Sequence, residues 1–209
     1  MNNTIYNKVS VFFIALYVTL VVSAPFFSTK AISLQYDIKF MAGTIVAMLA
    51  WQIIDVINEL FNKEQAQTAV IYGLVIKAFV FLIIAPLILS LPTVSNEIYI
   101  KIFQTSIRIF FATEFSAAIQ NLLVDIPIFD KLKKYKIGFF IRSNLSNIVS
   151  WTLASIIFVF VGFYGTPLFS MGLFIGSTLI RYPLSLLYTI IASIIVKIVR
   201  NIGMEKQNG

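Results

Sequence analysis

The stretch QIIDVINELFNKEQA, residues 52–66, decides how the rest of the chain is interpreted. It continues an apolar run that starts at Phe40 and places Asp55 and Glu59 near the end of a predicted helix. The two carboxylates are four residues apart, so they share one face, where like charges repel. The C-terminal end of a helix also disfavours anions, and local misfits of this kind are typical of functional sites. The alternative is that both acids mark where the helix leaves the membrane, with Lys63 paired to Glu59.

The composition around this stretch is that of an integral membrane protein. Of 209 residues, 59% are hydrophobic and only 12% are charged, a balance that soluble domains of this size do not show. The chain contains no cysteine and no histidine, which argues against disulfides, thiol nucleophiles, haem proteins and most zinc enzymes. The net charge of +7 is explained by cationic loops on the cytoplasmic face of a membrane rather than by nucleic-acid binding.

The sequence predicts an all-α, polytopic membrane protein with six transmembrane helices in a single domain covering residues 1–209. Each apolar segment reaches the roughly 20 residues that a helix needs to cross a bilayer. The first segment has some features of a signal peptide, but only Lys8 precedes it and more spans follow, so we predict that it is retained. The predicted helices cover approximately residues 9–29, 40–61, 67–91, 98–124, 141–163 and 170–199.

The orientation of the bundle follows from one dense charge run, DKLKKYK at residues 130–136. Positively charged loops stay in the cytoplasm, so we place this run inside the cell, between the fourth and fifth helices. With six helices, both termini are then cytoplasmic as well.

Three cations are predicted to lie well inside the bilayer: Lys77, Arg108 and Arg181. Each costs at least about 2.5–3.5 kcal/mol on insertion scales unless it is paired or faces water. We therefore expect a polar interior around a cavity. The alternative is a set of interhelical ion pairs that fix the packing and bind nothing. The carboxylates available to these cations are Asp55, Glu59, Glu114 and Asp125.

The fifth helix adds neutral polar groups to the predicted interior. Arg142 lies near its cytoplasmic start, from where it can reach the membrane surface. Asn144 and Asn147 are three residues apart and are expected to share a face. Beside the charged set, this face resembles the wall of a site for a hydrogen-bonding solute. The other polar residues predicted to line it are Gln120, Asn121, Ser143, Ser146 and Ser150.

The order and spacing of these residues resemble the VUT family of queuosine-precursor transporters, six-helix proteins of the bacterial inner membrane. The resemblance covers about residues 43–197. Asn62 stands where the family usually has Gly, and Ala154 where it has Asp. The matching positions, in chain order, are Asp55, Glu59, Phe61, Lys63, Arg108, Ala112, Asp125, Phe129, Lys131, Arg142, Ser146 and Arg181.

The resemblance implies a transporter, not an enzyme, that imports 7-cyano-7-deazaguanine, 7-aminomethyl-7-deazaguanine or queuine. A guanine-like edge offers adjacent N–H donors to a carboxylate, and its ring stacks on an aromatic such as Trp151 or Phe111. The residues expected to bind this deazapurine solute are Asp55, Glu59, Arg108, Asp125, Arg142, Asn144, Ser146 and Arg181.

No metal or cofactor is expected, and the partners are the solute and the lipid bilayer, with no nucleic acid. A second copy of the chain and a separate ATPase module are both left open. The alternative function is a substrate-binding subunit of an energy-coupling-factor type transporter for a vitamin-like solute. The chain has no Walker motif, so its ATPase would be another protein.

Overall fold

The computed structural model describes residues 3–90 and 97–205 of the chain. Two interruptions in the helices are π-helical: π1, Val80–Ile84, and π2, Ala118–Asp125. The other elements are α1 Asn3–Phe27, β1 Ala31–Ser33, β2 Lys39–Met41, α2 Gly43–Leu60, α3 Lys63–Phe79, α4 Ala85–Ser90, α5 Glu97–Ala117, α6 Ile126–Lys134, α7 Phe139–Phe163, α8 Met171–Leu179 and α9 Arg181–Glu205.

Six helical segments in the described residues are long and apolar enough to cross a membrane, which confirms the predicted all-α polytopic class. Their outer surfaces carry large apolar side chains such as Leu123, Met171 and Val11, which are 71%, 70% and 65% exposed. Outward apolar faces on every span are what contact with lipid requires. The turn expected at Ser95, after the third helix, lies outside the described residues.

Helix α2 is the centre of the bundle. It packs against α1, α3 and α9, and every side chain from Ala50 to Glu59 is buried. Gly43 makes the contact with α1 close, since a Cβ there would lie 2.3 Å from the carbonyl oxygen of Ala24. The polar residues of the opening stretch up to Glu59 therefore point into the protein, not into water at a membrane exit, whereas Asn62 and Glu64 are exposed.

Residues 31–41 form a β-hairpin instead of the expected polar connection. Ala31 pairs with Met41 across the two antiparallel strands, and the turn places Tyr36 and Asp37 at φ angles of 58° and 57°. The second helix was predicted from residue 40, but it begins at Gly43. Phe40 and Met41 belong to β2, and their side chains are already buried in that conformation. We call this end of the bundle the hairpin end.

The fourth helix was predicted to end at residue 124, but it continues through π2 and α6 to Lys134. Pro127 does not stop it, because proline is tolerated in the first turn after the wide π segment, where its missing N–H costs little. The charge run assigned to a loop therefore lies mainly on a helix, with Lys131, Lys133 and Lys134 in the last turn of α6. We call this end the basic end.

The sixth helix was predicted to be continuous, but it breaks at Ile180 into α8 and α9. Pro183 lacks the N–H that would bond to the carbonyl of Leu179, so the ladder is interrupted there. Helix α8 lies against the hairpin through two glycines. A Cβ at Gly172 would lie 2.2 Å from the carbonyl oxygen of Asp37, and one at Gly176 would lie 2.0 Å from that of Lys39.

Candidate functional site

Three successive turns of α2 carry the polar residues Trp51, Asp55 and Glu59, each four positions after the last. Each of them belongs to a separate layer of buried contacts with the neighbouring helices. We call these the hairpin layer (Trp51), the central layer (Asp55) and the basic layer (Glu59), in order from the hairpin end to the basic end. One helical turn, about 5.4 Å, separates adjacent layers.

In the basic layer, both carboxylate oxygens of Glu59 are ion-paired. Oε2 lies 2.5 Å from the guanidinium of Arg142, and Oε1 contacts Arg200. Lys133 is 3.9 Å from Oε2 and donates to the backbone carbonyl of Asn58 at 3.0 Å. Glu59 therefore has little capacity left to bind a solute in this conformation.

Arg142 does not reach out to the membrane surface as expected. Its side chain is buried, and its guanidinium lies 5.0 Å from the centre of the Phe129 ring while it pairs with Glu59. The reason is that α6 continues over this position and covers the start of α7. The prediction for the position of Arg142 is thus wrong.

In the central layer, Asp55 is held by neutral donors. Its Oδ2 accepts hydrogen bonds from Ser143 Oγ at 2.5 Å, Asn147 Nδ2 at 3.3 Å and Gln52 Nε2 at 3.4 Å. Gln52 also donates to Ser143 at 2.9 Å and accepts from Thr189 at 2.9 Å. These contacts join α2, α7 and α9 into one buried network.

The same layer includes Asp125 at the end of π2, and this carboxylate is poorly satisfied. Its Oδ1 accepts one long hydrogen bond, 3.5 Å, from Ser150, while its Oδ2 has no partner. Asn121, one π turn earlier, donates to the carbonyl of Ala117 at 3.0 Å, and its side-chain oxygen is unpartnered. The side-chain oxygen of Asn147 is also unpartnered. Buried polar atoms are rarely left in this condition without a functional reason.

In the hairpin layer, Arg181 at the break between α8 and α9 is 2% exposed. It donates to the carbonyl of Trp151 at 3.1 Å, and its guanidinium lies 5.1 Å from the centre of a Trp51 ring. The Arg181 Nε and the Trp151 indole N–H have no partner. Gln120 lies between Ser116, which donates to the carbonyl of Ala154, and Asp125, which accepts from Ser150. This brackets Gln120 near the level of Trp151 along α7, and both of its amide atoms also lack a partner. The layer therefore joins aromatic surface to free donors and acceptors.

A small cavity of about 20 Å³, room for about one water molecule, lies beside Trp51 and Arg181. Its remaining walls come from α1, α2, α5 and α7. They are formed by Ser28, Gly43, Thr44, Ala47, Thr113, Ser116 and Phe158.

Six of the eight predicted site residues lie in these layers. Ser146, which is buried and donates to the carbonyl of Ser143 at 3.2 Å, lies on the inner face of α7 with the central layer. The six are Asp55, Asp125 and Ser146 in the central layer, Glu59 and Arg142 in the basic layer, and Arg181 in the hairpin layer.

Arg108 was expected to face the interior, and this prediction is wrong. Its side chain is exposed, and it donates to the backbone carbonyl of Tyr164 at 2.6 Å, at the end of α7. The apolar span of its helix begins at Phe103, so Arg108 is near the hairpin end rather than midway. An arginine so close to the end of a span reaches polar surroundings without entering the core.

Asn144, three residues before Asn147, does not join the network around Asp55. Both ends of its amide are used, since it donates to the carbonyl of Phe140 at 2.8 Å and accepts from Ser185 at 2.8 Å. The inner face of α7 follows Ser143, Asn147 and successive turns, and Asn144 lies about 100° away from Ser143 around the helix. It packs α7 against α9 instead.

Lys77 forms a separate ion pair outside the three layers. It is 2% exposed and lies 3.1 Å from Glu114, with a hydrogen bond of 3.3 Å to Thr113. The pair joins α3 to α5 and fits the alternative interpretation, in which intramembrane charges fix the packing.

Phe111, one of the two aromatics expected to stack on a solute, is 43% exposed; the other, Trp151, is buried in the hairpin layer.

Several residues of the layers were not singled out from sequence as site residues. Gln52 is three residues before Asp55, a spacing that predicts contact on a helix. Thr189 shares a four-residue spacing with Ser185 and Ser193, which places the three hydroxyls on one face of a helix and was a usable signal. Gln120 and Asn121 were predicted to line the polar interior but not as site residues, and they lie in π2, whose geometry α-helical periodicity does not describe.

Comparison with known proteins agrees with this architecture. The profile of a family described as "Putative vitamin uptake transporter" matches residues 41–199 of the chain. No curated protein and no solved structure gives a significant match. The matched region contains the three polar layers except for Arg200, and five of the six membrane spans apart from the last three residues of the sixth. This chain is therefore a member of the vitamin uptake transporter (VUT) family.

Proposed function

We propose that this protein imports a queuosine precursor across the inner membrane of a bacterium. The candidate solutes are 7-cyano-7-deazaguanine, 7-aminomethyl-7-deazaguanine and queuine, which share a flat, guanine-like ring. We place the ring in the hairpin layer and its substituent toward the central layer. In this orientation the basic end faces the cytoplasm, which agrees with its lysines because positively charged segments stay on the cytoplasmic side of a membrane.

The observation that carries this proposal is the side chain of Gln120. It is fully buried, and both its amide nitrogen and its amide oxygen lack a partner. An amide with one free donor and one free acceptor complements the edge of a guanine-like ring, which presents an N–H beside a carbonyl. The free indole N–H of Trp151 and the Nε of Arg181 add two more donors.

The surroundings of Gln120 suit a flat ring as well. Trp51 and Trp151 are buried in one cluster with Met48 and Ala154, and aromatic side chains bind planar solutes by offset stacking. A solute that pairs with these unsatisfied groups removes a desolvation penalty of about 1–3 kcal/mol for each group. The cavity of about 20 Å³ beside Trp51 must widen to admit it.

The layers also suggest how the path is closed in this conformation. The ion pairs of Glu59 with Arg142 and Arg200 join α2, α7 and α9 at the basic end. Release of a solute on that side requires these helices to separate. Alternating access of this kind, around a binding site near the middle of the bilayer, is general among secondary transporters.

The test is queuosine formation in tRNA, measured in cells that make none of its precursors, with each precursor fed in turn. Expression of the wild-type chain should restore queuosine from at least one of them. Gln120→Leu should lower uptake roughly five- to 150-fold, because a buried hydrogen-bonding partner is lost. Gln67→Leu, at a partly exposed glutamine of α3, is the matched control and should leave uptake unchanged.

Failure of the expressed wild-type chain to restore queuosine from any precursor would overturn the proposal. The alternative, a substrate-binding subunit of an energy-coupling-factor type transporter, is tested on the purified chain in liposomes. Uptake by the chain alone supports a stand-alone carrier. Binding without uptake, together with an ATPase that copurifies, supports the alternative.

A further inference from the structure

We infer that the central layer binds a protonated amine, so that the 7-aminomethyl precursor is preferred to the neutral 7-cyano one. This rests on the proposed function for the identity of the solute. The chemical class of the group, a primary ammonium, follows from the charges and free atoms of the layer itself.

The first argument is charge. Asp55 and Asp125 are 1% and 0% exposed, and their hydrogen-bond donors are hydroxyl and amide groups, which are neutral. Neither carboxylate has an ion pair among the residues that the structure describes. The nearest guanidinium groups are engaged elsewhere, Arg142 with Glu59 and Arg181 with the Trp151 carbonyl.

Buried carboxylates without a counter-charge are unfavourable, and a positive charge from outside the chain would relieve this cost. The second argument concerns which positive group fits. Asp125, Asn147 and Asn121, which precedes Asp125 by about one turn toward the hairpin layer, have three unpartnered atoms. All three are oxygens: Asp125 Oδ2, Asn121 Oδ1 and Asn147 Oδ1. The nitrogens of both asparagines already donate to Ala117 and Asp55.

Three free acceptors with no free donor match a primary ammonium, which offers three N–H donors and no acceptor. Hard metal ions such as Mg²⁺ and Ca²⁺ take about six or more oxygen ligands, more than these three residues leave free. In the described part of the chain, no three acidic side chains are grouped as a metal site.

The third argument is the position of the layer relative to the ring. Asp55 follows Trp51 by one turn of α2, and Asn147 precedes Trp151 by one turn of the antiparallel α7. A ring held between the tryptophans and Gln120 therefore has the central layer directly beneath it, on the side of the basic end. A short aminomethyl arm on the ring spans this distance of about one turn.

The experiment measures affinities on the purified full-length chain in detergent, from ligand-induced shifts of thermal unfolding. The ligands are the 7-aminomethyl and 7-cyano compounds, with benzylamine as a simple aromatic amine. Sodium chloride is compared with choline chloride to test for binding of sodium ions. We expect the 7-aminomethyl compound to bind at least tenfold more tightly than the 7-cyano compound. Asp125→Asn should abolish this preference.

Asp130→Asn is the matched control, because Asp130 lies on the same continuous helix but is partly exposed and pairs with Lys134. It should keep the full preference. If Asp125→Asn does not fold, Asn121→Ala provides the second variant, and it should reduce the preference at least threefold.

Equal affinity for the two deazaguanines would overturn the amine site and leave the proposed function standing. Binding of benzylamine that depends on Asp125, with no binding of either deazaguanine, would support the amine site and overturn the proposed solute. Stabilisation by sodium ions but not by choline, without any amine preference, would assign the layer to a metal ion and overturn the inference. A preference that survives in Asp125→Asn and Asn121→Ala would place the amine elsewhere.

Discussion

Glu59 and Asp125 are both fully buried carboxylates in the same helical bundle, but their surroundings are opposite. Glu59 is engaged by Arg142 and Arg200 and approached by Lys133. Asp125 has one long hydrogen bond and a free oxygen. The contrast shows that burial of a charge within the membrane does not by itself identify a binding site. The informative property is whether the charge is already satisfied by the protein.

The largest effect should come from removing the satisfied carboxylate. Glu59→Gln leaves the buried guanidinium of Arg142 without its anion, and breaking a buried pair from one side costs about 3–5 kcal/mol. Thermal unfolding of the purified protein in detergent measures this loss, with Glu64→Gln, at an exposed acid of α3, as control. Normal stability combined with lost uptake would instead put Glu59 in the solute site.

Asp125→Asn should give the opposite pattern. The free energy of unfolding should stay within about 1 kcal/mol of wild type, because no ion pair is broken and an unsatisfied buried charge is removed. Uptake should fall roughly five- to 150-fold, the equivalent of a lost buried partner at about 1–3 kcal/mol. Uptake assays and unfolding measurements on the same preparations separate the two effects. A large loss of stability would contradict the comparison with Glu59.

The Lys77–Glu114 pair provides a third case, a satisfied ion pair away from the layers. Lys77→Met or Glu114→Leu alone should each cost about 1–3 kcal/mol, because each leaves a charge with reduced solvation. The double variant should lie within about 1 kcal/mol of wild type, since an apolar pair replaces both charges. Unfolding of all three variants gives the coupling free energy. Loss of uptake by a stable double variant would mean that this pair also takes part in transport.

The smallest effect is expected for Ser185, which is compared with Ser143 on the facing helix. Ser185→Ala removes the hydrogen bond to Asn144 outside the layers and should cost about 0.5–1.5 kcal/mol of stability without changing uptake. Ser143→Ala, which removes the 2.5 Å donor to Asp55, should cost about 1.5–3 kcal/mol, the range for bonds to charged groups, and should lower uptake. Equal uptake by both variants would show that the Asp55 network does not shape the site.

The sequence alone was sufficient for the class of fold and for part of the site. Long apolar runs predict membrane spans because only helices of about 20 residues satisfy their backbone in lipid. Asp55 was identifiable because an acid inside such a run must be paired or functional. Its neighbour Arg142 was recognised as a site residue, but its burial depends on α6, which the sequence pattern placed in a loop.

What the sequence could not give are features set by helix geometry and tertiary contact. The interior position of Gln120 was predicted, but its lack of any partner depends on the tertiary contacts around π2, and the contacts of Asn144 depend on how α7 packs against α9. The position of Arg108 depends on where its helix begins relative to the bilayer, and a continuous apolar pattern leaves this open by several residues. The β-hairpin was missed because Phe40 and Met41 extend an apolar run that favours a helix.

The two glycines of α8 have a mechanical consequence. With Gly172 and Gly176 against the hairpin backbone, no side chain separates the two elements, so a displacement of one requires a displacement of the other. Pro183 removes one backbone hydrogen bond near the break at Ile180, and we expect any bending to concentrate there. Arg181 follows the break directly, so a bend at this point also shifts the guanidinium that lies over Trp51. We therefore expect movement at the hairpin end to be coupled to rearrangement around Trp51.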